Sequence, residues 1–242
     1  NKYKKDLHIS QIRSNAIKGI DEKSLFHFPV AFPEVYLRDR SGFDVILGNP
    51  PWEEATIERT EFWSKYFPGL RGLNQREMEI KISEYIENYP DLEAEFQYKK
   101  DKSKVERAFL TKGPFPGMGK GDPDLYKAFC WRFLTLSHTM ASIGVVLPRS
   151  VFCSEGSKEF RNYIFESTKS IHLYNLKNTK SWVFDKVTPQ YTVTLATLNK
   201  DEANNTDSKI HTSVTSNSLE EFLKVKSTPL KKIAFSDVLK LT

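Results

Sequence analysis

Phe43-Asp44-Val45-Ile46-Leu47-Gly48-Asn49-Pro50-Pro51-Trp52 is the stretch on which the reading of this chain turns. Phe43 and the run Val45 to Leu47 predict a buried central strand, rich in β-branched and apolar residues. Gly48 is expected to let the backbone leave the sheet. Two prolines then forbid further ladder pairing and hold φ twice, so their carbonyls go to no helix. Trp52 follows close to the amide of Asn49. A strand that ends in an amide, two rigid carbonyls and a large ring is suited to gripping a planar, amino-bearing group. Taken alone, Trp52 could equally be a core tryptophan after a turn.

Composition is consistent with a folded domain. The chain has 242 residues, 39% hydrophobic and 28% charged, enough for one substantial core. A formal charge of +5 suits a polyanionic partner without requiring one. Cys130 and Cys153 are not at metal-like spacing and are expected to be buried thiols of a reducing, cytoplasmic protein. The five histidines are scattered, so no metal site is expected. No stretch reads as a membrane span or a secretory signal.

Asn49-Pro50-Pro51-Trp52 resembles the Asn-Pro-Pro-aromatic motif of S-adenosyl-L-methionine-dependent amino-methyltransferases, chiefly those that methylate adenine N6 in DNA. The resemblance implies a Rossmann-like, doubly wound α/β methyltransferase sheet, present in part, with an antiparallel hairpin at one edge and a helical insertion. It also implies roles. Asn49 Oδ1 and the Pro50 carbonyl would accept both amino hydrogens, Pro51 would keep that geometry stiff, and Trp52 would stack on a base flipped out of double-stranded DNA.

Other segments carry the same likeness. Phe26 to Tyr36, punctuated by Pro29 and Pro33, resembles the Phe-Pro-Glu-Val-Tyr/Phe segment that precedes this strand in large restriction–modification methylases. Gly119-Lys120-Gly121-Asp122-Pro123-Asp124-Leu125-Tyr126 resembles their Gly-Lys-Gly-Asp-x-x-Leu-Tyr unit, which implies a helix start near the cofactor and nominates Asp124 as a cofactor residue. Read from the residues themselves, 113–122 is a flexible loop. It lacks the preceding strand that a dinucleotide-type glycine motif needs. Asp122 is then an N-cap, Pro123 is the first helical residue, and Leu125, Tyr126, Phe129 and Phe133 form an apolar stripe.

Downstream, Ser142 to Pro148 predicts a strand and resembles the glycine-then-hydrophobic-strand-to-proline element of the same methyltransferases, which implies that Ser150 and Phe152 in the following loop lie near the catalytic rim. Lys158 to Glu166 predicts a helix, and Ser170 to Leu176 and Tyr191 to Leu198 predict strands. Trp182-Val183-Phe184 and Val187 to Tyr191 resemble the late motif whose aromatic meets the flipped base. Tyr191 matches it best and Phe184 competes, while a core role remains open for either. Ile210 to Val214 reads as a final edge strand and Leu219 to Val225 as a short helix.

Residues 53–112 form a charged stretch, mostly helical, with helices expected at Arg76 to Tyr89 and Leu92 to Tyr98. It reads either as a solvated insertion or as a clamp on DNA phosphates through Lys65, Arg71, Arg76, Lys99, Lys100, Lys102, Lys104 and Arg107. Residues 1–23 read as an amphipathic lead-in and 201–209 as a loop. The segment 201–242 is expected to lead toward a target-recognition domain.

The expected organisation is thus a single partial catalytic domain over 1–242. Its main cofactor site would lie upstream of residue 1, and restriction or specificity domains could share the parent chain. The span alone is expected to be inactive. A methyltransferase acting on RNA bases or a protein glutamine amide, and a non-catalytic DNA-binding module of the same fold, remain alternatives.

Overall fold

A computed structural model describes residues 26–52, 56–118, 123–185, 187–200 and 209–240. The readings of 1–23, of Asp122 and of most of 201–209 fall outside the described residues. The chain divides into two compact units, one ending at Phe43 and one beginning at Asp44.

In the first unit the aromatic connector forms two single-turn helices, α1 (Phe28–Ala31) and α2 (Pro33–Tyr36). Each has a proline in its first turn, where the missing N–H costs nothing. Phe28, Phe32 and Tyr36 each meet the edge or face of Phe43, with ring centroids 5.6–6.1 Å apart. Gly42 takes φ 109°, a conformation that favours glycine.

The second unit holds a six-stranded mixed α/β sheet, apart from Phe43, the first residue of its first strand. Its strands are β1 (Phe43–Gly48), β2 (Ser137–Pro148), β3 (Ser170–Lys177), β4 (Thr192–Asn199), β5 (Lys209–Thr212) and β6 (Lys231–Ala234). Their order is β1-β2-β4-β3-β5-β6, an open sheet rather than a closed barrel. β4 runs antiparallel to both β2 and β3, β3 and β5 are parallel, and β5 and β6 are antiparallel.

Two expectations change here. β1 is an edge strand, with Val45 62% and Leu47 80% exposed, because no strand among the described residues lies on its other side. The Ile210 strand is interior, because Lys231–Ala234, within the segment read as a lead toward another domain, pairs along its outer edge.

Before the second strand come α3 (Arg59–Tyr66), a 3-10 turn at Pro68–Gly72, α4 (Gln75–Asn88) and α5 (Pro90–Lys112). These helices enclose their own core of Phe62, Trp63, Leu70, Ile82 and Phe96. Asn74 and Glu77 close a reciprocal capping box at the start of α4. α5 runs far beyond the expected Tyr98 because nothing breaks it before Gly113. Its apolar periodicity fades since Tyr98, Val105 and Phe109 face solvent.

The main core lies between one sheet face and two helices, α6 (Leu125–Leu136) and α7 (Lys158–Glu166). Ile143, Val145, Leu147, Ile171, Leu173, Ala196 and Leu198 meet Tyr126, Cys130, Leu134, Phe160 and Ile164. Burying each large side chain contributes about 1.5–3 kcal/mol. Alternate strand residues face the other way. There Ser142 donates to Asn199 (2.8 Å), which donates to Ser170 (3.0 Å), across three strands. Two further helices, α8 (Leu219–Lys226) and α9 (Phe235–Lys240), flank the last strand, and Phe235 packs on Phe165.

Candidate active site

The Asn49-Pro50-Pro51-Trp52 tip leaves β1 directly after Gly48. The approach there is close: a Cβ on residue 48 would stand 2.7 Å from the Phe133 ring of α6, so a larger residue requires that ring to shift. That is a packing demand, and it adds to the expected role of Gly48 in leaving the sheet. At the tip Asn49 is exposed, Pro50 buried, Pro51 exposed and Trp52 half-buried. The indole N–H of Trp52 donates to the Val146 carbonyl of β2 (3.2 Å), and the ring packs on the main core. The tip is therefore tied to the neighbouring strand by its last residue.

Both aromatic residues expected from the late motif reach this ring. Tyr191 stacks on Trp52, with centroids 5.7 Å apart and planes within 15°. Phe184 meets it edge-on at 6.4 Å and 90°. Offset-stacked and edge-to-face pairs are the favoured aromatic geometries, each worth about 0.5–1.5 kcal/mol beyond area burial. Tyr191 and Phe184 were competing choices in the sequence, and the fold places both at Trp52.

The residue that sequence reasoning missed is Asn178. It is fully buried at the end of β3 and hydrogen-bonds within the loop that carries Phe184 and Tyr191. A lone asparagine near a strand end gives no signal, since its value depends on backbone groups up to 13 residues later.

Asp124 departs from expectation in its partners. It occupies the N-cap position of α6 with extended backbone (φ −77°, ψ 130°) but makes no side-chain cap bond. Its Oδ2 accepts from the Tyr126 hydroxyl (2.9 Å) and from the Lys127 ammonium (2.9 Å). The Lys127 side chain is only 3% exposed, so this is a buried ion pair. Burial first, then the Asp124 charge, pushes the Tyr126 hydroxyl up and keeps it a neutral donor. Pro123 therefore precedes the cap and is not the first helical residue. Leu125, the next residue after Asp124, lines a cavity of about 560 Å³ together with Trp52. The far wall comes from α3 and α5 and carries Glu58, Glu61, Lys65, Lys99 and Glu106.

Four of the eight cations named for the clamp pair with neighbouring carboxylates. Lys65 pairs with Glu61, Lys99 with Glu95, Lys102 with Glu106 and Lys104 with Asp101, at 2.6–3.8 Å and all exposed. The glycine loop is docked as far as Met118, which is buried, and Gly117 (φ 71°) lies against the Phe160 backbone. Ser150 is exposed, whereas Phe152 packs on the main core.

The two cysteines differ. Cys130 is buried, which pushes its thiol up to about 12, whereas Cys153 is exposed, contrary to expectation. The histidines are not all apart either. His172 and His211 sit opposite each other on β3 and β5 with rings stacked at 4.5 Å. No group of three metal-ligating side chains occurs among the described residues, and no described helix is long and apolar enough to cross a membrane.

No protein-family model matches the sequence, and no curated protein matches it. Among solved structures the chain is similar to a DrdV–DNA complex (14% identity, TM-score 0.44, 78% of this chain and 17% of that one). It is also similar to a nuclease-deletion mutant of the Type ISP restriction–modification enzyme LlaGI in complex with a DNA substrate mimic (13%, 0.43, 78% and 14%). A third is the ATP-dependent Type ISP restriction–modification enzyme LlaBIII bound to DNA (16%, 0.43, 78% and 12%). This chain thus spans less than a fifth of the length of each of these three structures.

Proposed function

We propose that this chain is the catalytic half of a DNA methyltransferase that transfers a methyl group from S-adenosyl-L-methionine to adenine N6 of a flipped base. The observation that carries the reading is the β1 tip. An exposed amide, two prolines and an indole anchored to Val146 stand together at a strand end, facing two further aromatic rings.

The chemistry requires those residue types. An adenine amino nitrogen is a poor nucleophile because its lone pair is delocalised into the ring. The Asn49 side-chain oxygen and the Pro50 carbonyl accept its two hydrogens and favour a pyramidal nitrogen whose lone pair points at the methyl donor. These are preorganised dipoles aimed at charge that develops only in the transition state. The prolines keep the acceptors rigid, so little reorganisation is needed when the reaction occurs. Trp52 offers its face for stacking, which is sequence-tolerant and suits an extrahelical base.

S-adenosyl-L-methionine would supply an electrophilic methyl on a sulfonium, its C–S bond breaking to leave a neutral thioether as the N–C bond forms, with one amino proton released to solvent. Such a partner carries a sulfonium, an ammonium and one carboxylate, a net cation that the three glutamates and two lysines lining the cavity beside Trp52 suit. The cavity beside Trp52 is in the usual range for ligand sites and offers both carboxylates and ammonium groups. Asp124, held by Lys127 and Tyr126 next to Leu125 of that cavity, is the residue we assign to the cofactor. The exposed edge of β1 suits pairing with an added strand. Restriction or specificity domains would then share the parent protein, working on DNA in the cytoplasm.

The test is transfer of labelled methyl from S-adenosyl-L-methionine by the full-length parent to DNA, RNA and protein substrates, with and without Asn49→Ala. Label in DNA adenine that disappears with the substitution is the expected result. Label in RNA or a glutamine amide, or unchanged DNA labelling in the variant, overturns the reading. Turnover by the 242-residue chain alone would remove the claim that it is only half a site.

A further inference from the structure

The loop between β3 and β4, residues 178–191, delivers two aromatic rings to Trp52, and nearly everything that shapes it converges on one side chain. Asn178 is 0% exposed. Its Oδ1 accepts the backbone N–H groups of Val183 and Phe184, both at 3.0 Å. Its Nδ2 donates to the carbonyls of Phe184 (3.0 Å) and Val187 (2.9 Å). Its own backbone N–H donates to the Tyr191 carbonyl at 2.9 Å. A primary amide has two donors and two acceptor lone pairs, and all four positions are in use. Every one of these bonds goes to a residue carrying an aromatic ring that touches Trp52 or to a near neighbour of one.

The loop's backbone points the same way. Lys180 and Ser181 take φ 55° and 59°, two successive residues in a region that non-glycine residues avoid. Such a conformation persists only where surrounding contacts over-determine it, and it clusters where geometry matters to function. Here Ser181 N–H donates to the Asn178 carbonyl (2.9 Å), and the Trp182 indole donates to the Lys177 carbonyl (2.7 Å). No other residue type reproduces the Asn178 pattern. Aspartate keeps the acceptors and loses both donors, alanine loses all four bonds, and glutamine moves the amide out by one methylene from partners at 2.9–3.0 Å.

We propose that Asn178 is a positioning residue, whose amide holds Phe184 and Tyr191 against Trp52 and so sets the width of the slot that receives the substrate's planar group. The inference rests on the reading of Trp52 as a stacking platform. Tyr191 already stacks on Trp52, so a base reaches that face of the indole by displacing the Tyr191 ring. Asn178 limits how far the loop can yield.

Two variants, Asn178→Asp and Asn178→Ala, test this with two readouts. The first needs no substrate. The near-ultraviolet circular dichroism that Tyr191→Leu removes defines the Trp52–Tyr191 stack, and both Asn178 variants are expected to lose it while far-ultraviolet spectra keep the sheet and helices. The second uses the parent protein and a duplex with 2-aminopurine at the target. Base capture is expected to weaken about tenfold, the order of one lost stacking contact, with S-adenosyl-L-methionine affinity unchanged. Retention of both the stacking signal and base capture overturns the proposal. So does collapse of both variants, or a parallel fall in cofactor affinity, since Asn178 would then hold the whole fold. A wild-type parent that never captures a base defeats the proposed function, yet the first readout still decides the role of Asn178.

Discussion

The β1 tip and the loop facing it bring aromatic rings to the same place by different means. The tip does so in four consecutive residues: two prolines stiffen the chain, and one hydrogen bond, from Trp52 to Val146, fixes the ring. The loop spreads its two rings over eight positions and accepts two left-handed residues. It relies on a buried asparagine that saturates its amide on backbone groups. Rigidity is covalent in the first wall and hydrogen-bonded in the second. A wall stiffened by proline tolerates loss of neighbours, whereas a wall stiffened by one amide fails with that amide.

The largest expected effect falls on the tip. Asn49→Ala in the parent should lower methyl transfer by about 100-fold or more, the scale of losing one preorganised transition-state group. DNA affinity should be nearly unchanged. A comparable fall in DNA affinity, measured by equilibrium binding, would make Asn49 a binding residue rather than a catalytic one.

Next is the framework beneath the site. Lys127→Met leaves Asp124 without its ammonium partner, and breaking a buried pair from one side costs roughly 3 kcal/mol. Denaturant unfolding measures it. A variant as stable as wild type would show that the pair is dispensable to stability.

Trp52→Ala should weaken capture of an unpaired target base by an amount equivalent to about 1–3 kcal/mol, and Trp52→Phe should recover part of it. If Tyr191→Leu costs more than Trp52→Ala, the loop rather than the tip is the main platform, and the comparison reverses.

A smaller effect concerns pH. Burial first, then His172, Lys232 and Lys209, holds the His211 imidazole below its ordinary value of 6.5. The unfolded chain then binds a proton more readily than the folded one. Stability from this group is complete above pH 6.5 and is lost as pH falls toward the lower folded value. Melting temperature should drop on acidification from neutral pH, and His211→Gln should flatten that slope. An unchanged slope would assign the acid sensitivity to other groups.

The smallest effect is expected on the insertion. Lys99→Ala removes an exposed pair with Glu95, and such pairs contribute little after solvent screening. Its unfolding midpoint should match wild type. DNA affinity should also hold, and a clear loss of affinity would revive the phosphate-clamp reading.

Much of this was legible beforehand because the signals were local. α7 occupies Lys158–Glu166 as read, and β3 and β4 fall within a residue or so of the alternating segments. The Asn-Pro-Pro-Trp tip was recognisable since proline and glycine act on their own backbone. The extent of α5 was less legible, because an exposed helix shows little apolar period and declares itself by charge pairs instead. The pairing of His172 with His211 was invisible, since it depends on a parallel register between strands nearly 40 residues apart.

The sequence by itself determined where the chain is rigid, where it turns and which residue types stand at the strand end, because φ restriction and side-chain period are short-range. Only the tertiary structure decided that β1 is an edge among the described strands, that Phe184 and Tyr191 both reach Trp52, that Asp124 is tied to Lys127, and that Asn178 hydrogen-bonds the facing loop. Each of these depends on which backbone carbonyls, N–H groups and ring faces are left over when strands pair and helices pack. That remainder is a property of the assembled fold.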